Sequence, residues 1–183
     1  MLADPQYING TRGKPEGSTP GTGYGFAPGV LKQISTLVNH IDLMTYDFHG
    51  AFDYNASGTG KTGFLTNLYA PSDAPSGYKF SVDGSVTAML KQGVPSKNIT
   101  VGVPAYGRSL DNINPEDGGL FQPLTSNASI PRGDLDLKNC DTAITSSGPN
   151  TCGGMFNYNY ILKNMVGHGF TATDRKDAKG AAS

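Results

Sequence analysis

"HIDLMTYDFHG", residues 40–50, opens on an apolar run and closes on Tyr46, Asp47 and His49. That order fits a strand from Ile41 to Phe48 with its reactive groups gathered at the carboxyl end. In β/α barrels that end of a strand carries the active site. Alternation places Met44 and Tyr46 on one face, with Asp47 at the strand's mouth. A second stretch is built the same way. "KNITVGVPAY" (97–106) reads as a strand, and its β-branched run suits a strand buried on both sides of a parallel sheet. It runs on into "VGVPAYGRSL" (101–110), where Tyr106 and Arg108 share a side.

Helical patterns precede both stretches. "FAPGVLKQISTLVNHI" (26–41) spaces Val30, Leu31, Ile34, Leu37 and Val38 at helical intervals, with Pro28 suited to the first turn. "SVDGSVTAMLKQGV" (81–94) puts Val82, Val86, Met89 and Leu90 on one face. Ser81 or Asp83 suits its cap and Gly93 its end. "LADPQYI" reads as the close of an earlier strand. The order strand, helix, strand, loop, helix, strand predicts α/β units with parallel strands. Residues 1–108 are therefore expected to form one α/β region. Residues 109–183 are loop-rich, with a strand candidate in "GGLFQPL" (118–124) and a helix candidate in "YNYILKNMVGHG" (158–169), and predict a separate small α+β element.

The chain has 183 residues, 14 basic against 15 acidic, which gives no electrostatic reason to expect nucleic acid or an anionic membrane as partner. No apolar run approaches the ~18 residues of a membrane span. The first ten residues lack the basic start and apolar segment of a signal peptide. Cys140 and Cys152 fit either a short-loop disulfide or two free thiols. Three scattered histidines suggest no metal site, and no cofactor is expected. Four Asn-X-Ser/Thr sequons stand at Asn9, Asn55, Asn98 and Asn127, relevant only to a chain secreted by a eukaryote.

"NASGTGKTGFL" (55–65) ends like a nucleotide-binding loop, but Asn55 stands where the leading glycine belongs. The preceding strand stops near Phe48, and Gly63, Pro71 and Pro75 break any following helix. A phosphate cradle needs a strand running directly into a helix N-terminus. "GYGFAPG" (23–29) fails as a dinucleotide fingerprint for its misplaced third glycine and Pro28.

Met44, Tyr46, Asp47, Tyr106 and Arg108 together supply a thioether wall, two phenols, a carboxylate and a guanidinium. That set suits a neutral polyhydroxylated ligand, with apolar faces for sugar rings and polar groups to fix hydroxyls. "IDLMTYDFHGAFD" resembles the sixth-strand motif Met-x-Tyr-Asp-(Phe/Tyr)-x-Gly of glycoside hydrolase family 18, the chitinases. "KNITVGVPAYGRSL" resembles that family's seventh strand. "TGFLTNLY" sits where members carry a Gly-His-x-x-x-Leu loop, and "GGMFNYNYILKNMVGHGF" is similar to the end of the insertion domain that follows strand seven.

The resemblance implies a partial TIM (β/α)8 barrel with a small α+β insertion domain at 109–183. It also implies substrate-assisted retaining hydrolysis of β-1,4-N-acetylglucosamine links, in which the N-acetyl oxygen attacks the anomeric carbon. Tyr46 matches the tyrosine that steadies the acetamido group, and Asp47 a residue that binds a sugar hydroxyl near the cleavage point. Met44, Tyr106 and Arg108 match residues lining the same cleft. The family's general acid ends an Asp-x-x-Asp-x-Asp-x-Glu motif. This chain's two glutamates, Glu16 and Glu116, lie in no such motif, and it has no tryptophan to match the family's on strand eight. The chain thus looks like strands five (in part) to seven plus the insertion domain, inactive alone, since nothing protonates the leaving oxygen. Its expected partners are chitin or chitooligosaccharide and the missing half of the barrel. A full-length parent would be extracellular. The alternative is a non-catalytic chitooligosaccharide-binding, chitinase-like protein. A cut barrel exposes strand edges, so the isolated chain is expected to be marginally stable or oligomeric.

Overall fold

The computed structural model describes residues 3–14, 18–55, 57–138 and 153–172. Cys140, Cys152 and Glu16 lie outside the described residues. The rest gathers into two compact units, one from residues 3–48 and 66–103, the other from 49–65 and 104–172.

In the first unit the segment expected to end a strand is a short helix, α1 (Pro5–Ile8). Its sequence explains the correction. Asp4 accepts hydrogen bonds from the amides of Gln6 (2.8 Å) and Tyr7 (3.3 Å), and Pro5 occupies the first helical position, where its missing N–H costs nothing. Helix α2 (Val30–Leu37) begins after Gly29, whose φ of 82° sets the entry, so Pro28 precedes the helix instead of opening it. Strand β1 (Ile41–Leu43) is shorter than the expected Ile41–Phe48. Helix α3 (Val82–Lys91) is capped by the Ser81 hydroxyl, which accepts from Gly84 N at 3.0 Å, and Gly93 follows its end at φ 85°.

A one-turn 3-10 helix (Ser96–Asn98) then leads into strand β2 (Ile99–Val101), which pairs parallel with β1 in the register Ile41–Ile99, Asp42–Thr100, Leu43–Val101. This is the α/β arrangement the alternation predicts. Leu31, Leu43, Met89, Val94 and Ile8 form its buried core. Each such side chain contributes roughly 1.5–3 kcal/mol when fully buried. Two expectations fail here. The buried face of α3 is Ser85, Ala88 and Met89, while Leu90 is exposed. Nor is the second strand covered on both sides among the described residues, for Val101 and Val103 are 41 % and 82 % exposed.

In the second unit strand β3 (Tyr106–Arg108) pairs antiparallel with β4 (Met155–Asn157). From β4 the chain passes into one turn of helix, α4 (Tyr158–Tyr160), and a wider turn, Ile161–Met165, where the sequence predicts a helix. "GGLFQPL" is not a strand. Its glycines close a 3-10 turn (Glu116–Gly119) with positive φ at Gly118 and Gly119, and Pro123 makes only an isolated bridge to Lys61. A smaller core of Ala51, Leu124, Ala128 and Ile130 holds this unit.

Candidate functional site

The nucleotide-loop look-alike is structural. The Thr62 amide donates to Gln122 O (2.8 Å) and Leu124 N donates to Gly60 O (2.8 Å), so the stretch is sewn to residues 122–124 and enters no helix. Gly63 faces the buried His49 ring so closely that any side chain there would enter it.

In the first unit, strand β1 ends at Leu43, with a single bridge residue at Met44 before Tyr46 and Asp47. Met44 is 40 % exposed, Thr45 is wholly buried, and Tyr46 and Asp47 are half-buried. The chain keeps its course by side-chain bonds. Thr45 Oγ1 donates to Gly102 O at 2.6 Å, and Thr45 O accepts from Thr66 Oγ1 at 2.8 Å. Gly102 N in turn donates to Leu43 O at 2.9 Å. Asp47 has φ 55°, the left-handed region that non-glycine residues rarely enter and that aspartate tolerates best. Such strain clusters at functional positions. It turns the chain sharply at the carboxylate, which a continuous strand to Phe48 would not do.

In the second unit Tyr106 and Arg108 lie on β3 two residues apart and share a side, as alternation predicts. The Arg108 guanidinium carbon sits 5.8 Å from the Tyr106 ring centre and 5.7 Å from that of Phe52. A cation over two aromatic faces is attracted by the negative face of each ring. Phe52 is carried by a 3-10 turn (Ala51–Asp53). Asp53 Oδ2 anchors that turn, accepting from Gly50 N (2.9 Å) and lying 3.1 Å from His49 Nδ1.

Behind β3, Asp136 collects three backbone amides, Gly133 (2.7 Å), Gly154 (2.9 Å) and Met155 (2.8 Å), while Asp134 takes the Asn157 amide at 2.8 Å. Burial pushes the Asp136 carboxyl up, but those three amides and nearby Arg132 outweigh it and hold the group below the usual carboxylate range. A hollow of about 550 Å³ in this unit is lined by Thr62, Asp111, Asn112, Ile113 and Pro115 among others, and by none of the five predicted site residues. Among the described residues no cluster of His, Cys, Asp or Glu could hold a metal ion.

Thr45, Thr66, Gly102 and Phe52 were not among the expected functional residues. The signal for Thr45 was present: alternation puts it on the face opposite Met44 and Tyr46, where a polar residue needs a buried partner.

The family model for glycosyl hydrolases family 18 matches residues 18–180. The chain belongs to that family. It is 34 % identical over 83 residues to "Probable chitinase 2" of Drosophila melanogaster, covering 45 % of this chain and 15 % of that protein. It is 27 % identical over 137 residues to "Chitinase 1" of Aphanocladium album, covering 73 % of this chain and 30 % of that one. The chain thus spans less than a third of the length of these curated relatives. Among solved structures, chitinase ChiA74 from Bacillus thuringiensis superposes with a TM-score of 0.64 at 28 % identity, over 82 % of this chain and 22 % of that one. The catalytic domain 2 of Ostrinia furnacalis group II chitinase, solved with a penta-N-acetylated chitooligosaccharide, shares the fold at a TM-score of 0.60 and 20 % identity, over 98 % of this chain and 36 % of that one. The fold is that of part of a chitinase.

Proposed function

We propose that this chain is the substrate-binding portion of a family 18 chitinase, drawn from strands five (in part) to seven of a β/α barrel with its insertion domain at 109–183. The reading is carried by one observation. A family 18 chain holds Met44-Thr45-Tyr46-Asp47 directly after strand β1 and Tyr106-Gly107-Arg108 as strand β3. Met44 offers an apolar wall to a sugar ring. Tyr46 offers a phenol to the acetamido group whose oxygen attacks the anomeric carbon. Asp47 accepts from a sugar hydroxyl, and Tyr106 and Arg108 offer a phenol and a guanidinium for sugar binding. The oxazolinium route needs no carboxylate nucleophile, but it still needs a proton for the leaving oxygen. These 183 residues hold no Asp-x-x-Asp-x-Asp-x-Glu segment to give one.

The whole protein would hydrolyse chitin outside the cell. The chain alone would bind chitooligosaccharide without cleaving it. The exposed Val101 and Val103 fit a strand that further barrel segments cover. The same missing acid favours the second reading, a binding protein without catalysis. Co-expression with a barrel segment bearing the Asp-x-x-Asp-x-Asp-x-Glu motif separates the two. Hydrolysis of a chitotetraose on co-expression, absent for either part alone, supports the chitinase. Binding without hydrolysis in the assembled pair supports the binding protein, and no binding in any form overturns both.

A further inference from the structure

The ordered ladder of the first unit stops before Tyr46, yet contacts from Thr66 and Gly102 hold the chain there. The carbonyl of the peptide entering it, Thr45 O, is held by Thr66 Oγ1 at 2.8 Å. The Thr45 side chain, wholly buried, donates across to Gly102 O at 2.6 Å, adding a rung after the last backbone one. The Tyr46 ring lies against Gly102 itself, where an added Cβ would stand 2.8 Å from Tyr46 Cε1. Gly102 N meanwhile donates to Leu43 O, so the residue that supports the ring is bonded to the strand carrying it.

We propose that Thr45 and Gly102 are positioning residues for Tyr46. Thr45 fixes the strand-to-strand distance beyond the end of the ladder, and the bare Cα of Gly102 leaves the slot into which the ring settles. Together they set the height of the phenol from which it reaches a sugar's acetamido group. This rests on the sugar-binding reading of Tyr46. The chemistry favours a hydroxyl at 45 in particular. Valine has the same shape but leaves Gly102 O without that donor, and segment 44–47 lies beyond the end of β1.

The test uses the full chain with ring-labelled tyrosine, read by NMR, the Tyr46 signal being assigned by its loss in Tyr46→Phe. Thr45→Val should shift the Tyr46 ring signal and Thr45→Ser should restore it. Gly102→Ala should shift it further. Should Gly102→Ala fail to fold, the Thr45 pair decides alone. Chitotetraose affinity should fall about tenfold in Thr45→Val, recover in Thr45→Ser, and fall no further when Thr45→Val is added to Tyr46→Ala. An unmoved ring signal in Thr45→Val overturns the proposal, as does an equal loss of affinity from that change with and without Tyr46. If the unaltered chain binds no chitotetraose, the sugar reading falls, and the ring signal still decides the positioning.

Discussion

One site segment follows a short strand and the other is itself a short strand, and the two are secured by different forces. In the first unit the segment Met44–Asp47 lies past the end of strand β1. It is tied down by two buried or half-buried hydroxyls above a core of eight buried apolar residues. In the second unit Tyr106 and Arg108 lie inside the ladder itself, above a core of four buried apolar residues. There a carboxylate gathering three amides does part of the holding. Apolar burial depends little on pH, and an ionised carboxylate depends on it strongly. The first unit should therefore be sensitive to truncation in its core, and the second to acid.

Core truncation should give the largest effect. Leu43→Ala removes a wholly buried side chain from the larger cluster and should cost about 3–4 kcal/mol in the first unit. Leu124→Ala, in the smaller cluster, should cost the second unit about 2–3 kcal/mol, because fewer packed neighbours are lost. Hydrogen exchange at the Val101 and Met155 amides reads the two units separately, which a single denaturation midpoint does not. Equal loss at both amides from either substitution would show that the units unfold as one, and the contrast would break.

Next in size is Asp136. Asp136→Ala strands the amides of Gly133, Gly154 and Met155, and should cost the second unit about 2–3 kcal/mol while leaving Val101 exchange unchanged. The sign of its pH dependence follows from the lowered carboxyl. The unfolded chain binds that proton more readily than the folded one. The contribution is complete above the ordinary aspartate value of about 3.9 and is lost as pH falls through the folded value. Acid should thus accelerate exchange at Met155 before Val101, and Asp136→Asn should remove that difference. A pH profile that Asp136→Asn leaves unaltered would assign the acid sensitivity elsewhere.

The same contrast explains what could be read from the sequence. Parallel pairing of β1 with β2, the Ser81 cap and the shared side of Tyr106 and Arg108 follow from alternation and end signals, which are local. The buried face of α3 does not. Ser85 is wholly buried, its hydroxyl lying 2.6 Å from Ala3 O and 2.8 Å from Ser81 O, and a partner 82 residues away, Ala3, is invisible to a periodicity of apolar residues. The short length of β1 has a related cause. "MTYDF" is good strand sequence, but the backbone at Asp47 enters the left-handed region, a turn that strand propensity does not mark. The chemistry was legible as a motif. Its support, Thr45 against Gly102, spans 57 residues and needed coordinates.

The smallest effect concerns the one cation of the candidate site. Arg108 lies over both Phe52 and Tyr106, at 5.7 and 5.8 Å, and a planar guanidinium can rest on two rings at once. An ammonium in the same place is a compact, more strongly hydrated charge that does not stack. Arg108→Lys keeps the charge and should cost the second unit only about 0.5–1 kcal/mol in stability. If Arg108 serves only to steady Tyr106, chitotetraose affinity should fall by the same small factor in Arg108→Lys and in Phe52→Leu, which takes away one of the two rings. If its N–H groups bind the sugar directly, Arg108→Lys should weaken binding well beyond Phe52→Leu at equal loss of stability. The sugar-binding reading requires the second result, and the first would leave Arg108 a structural residue of the β3–β4 unit.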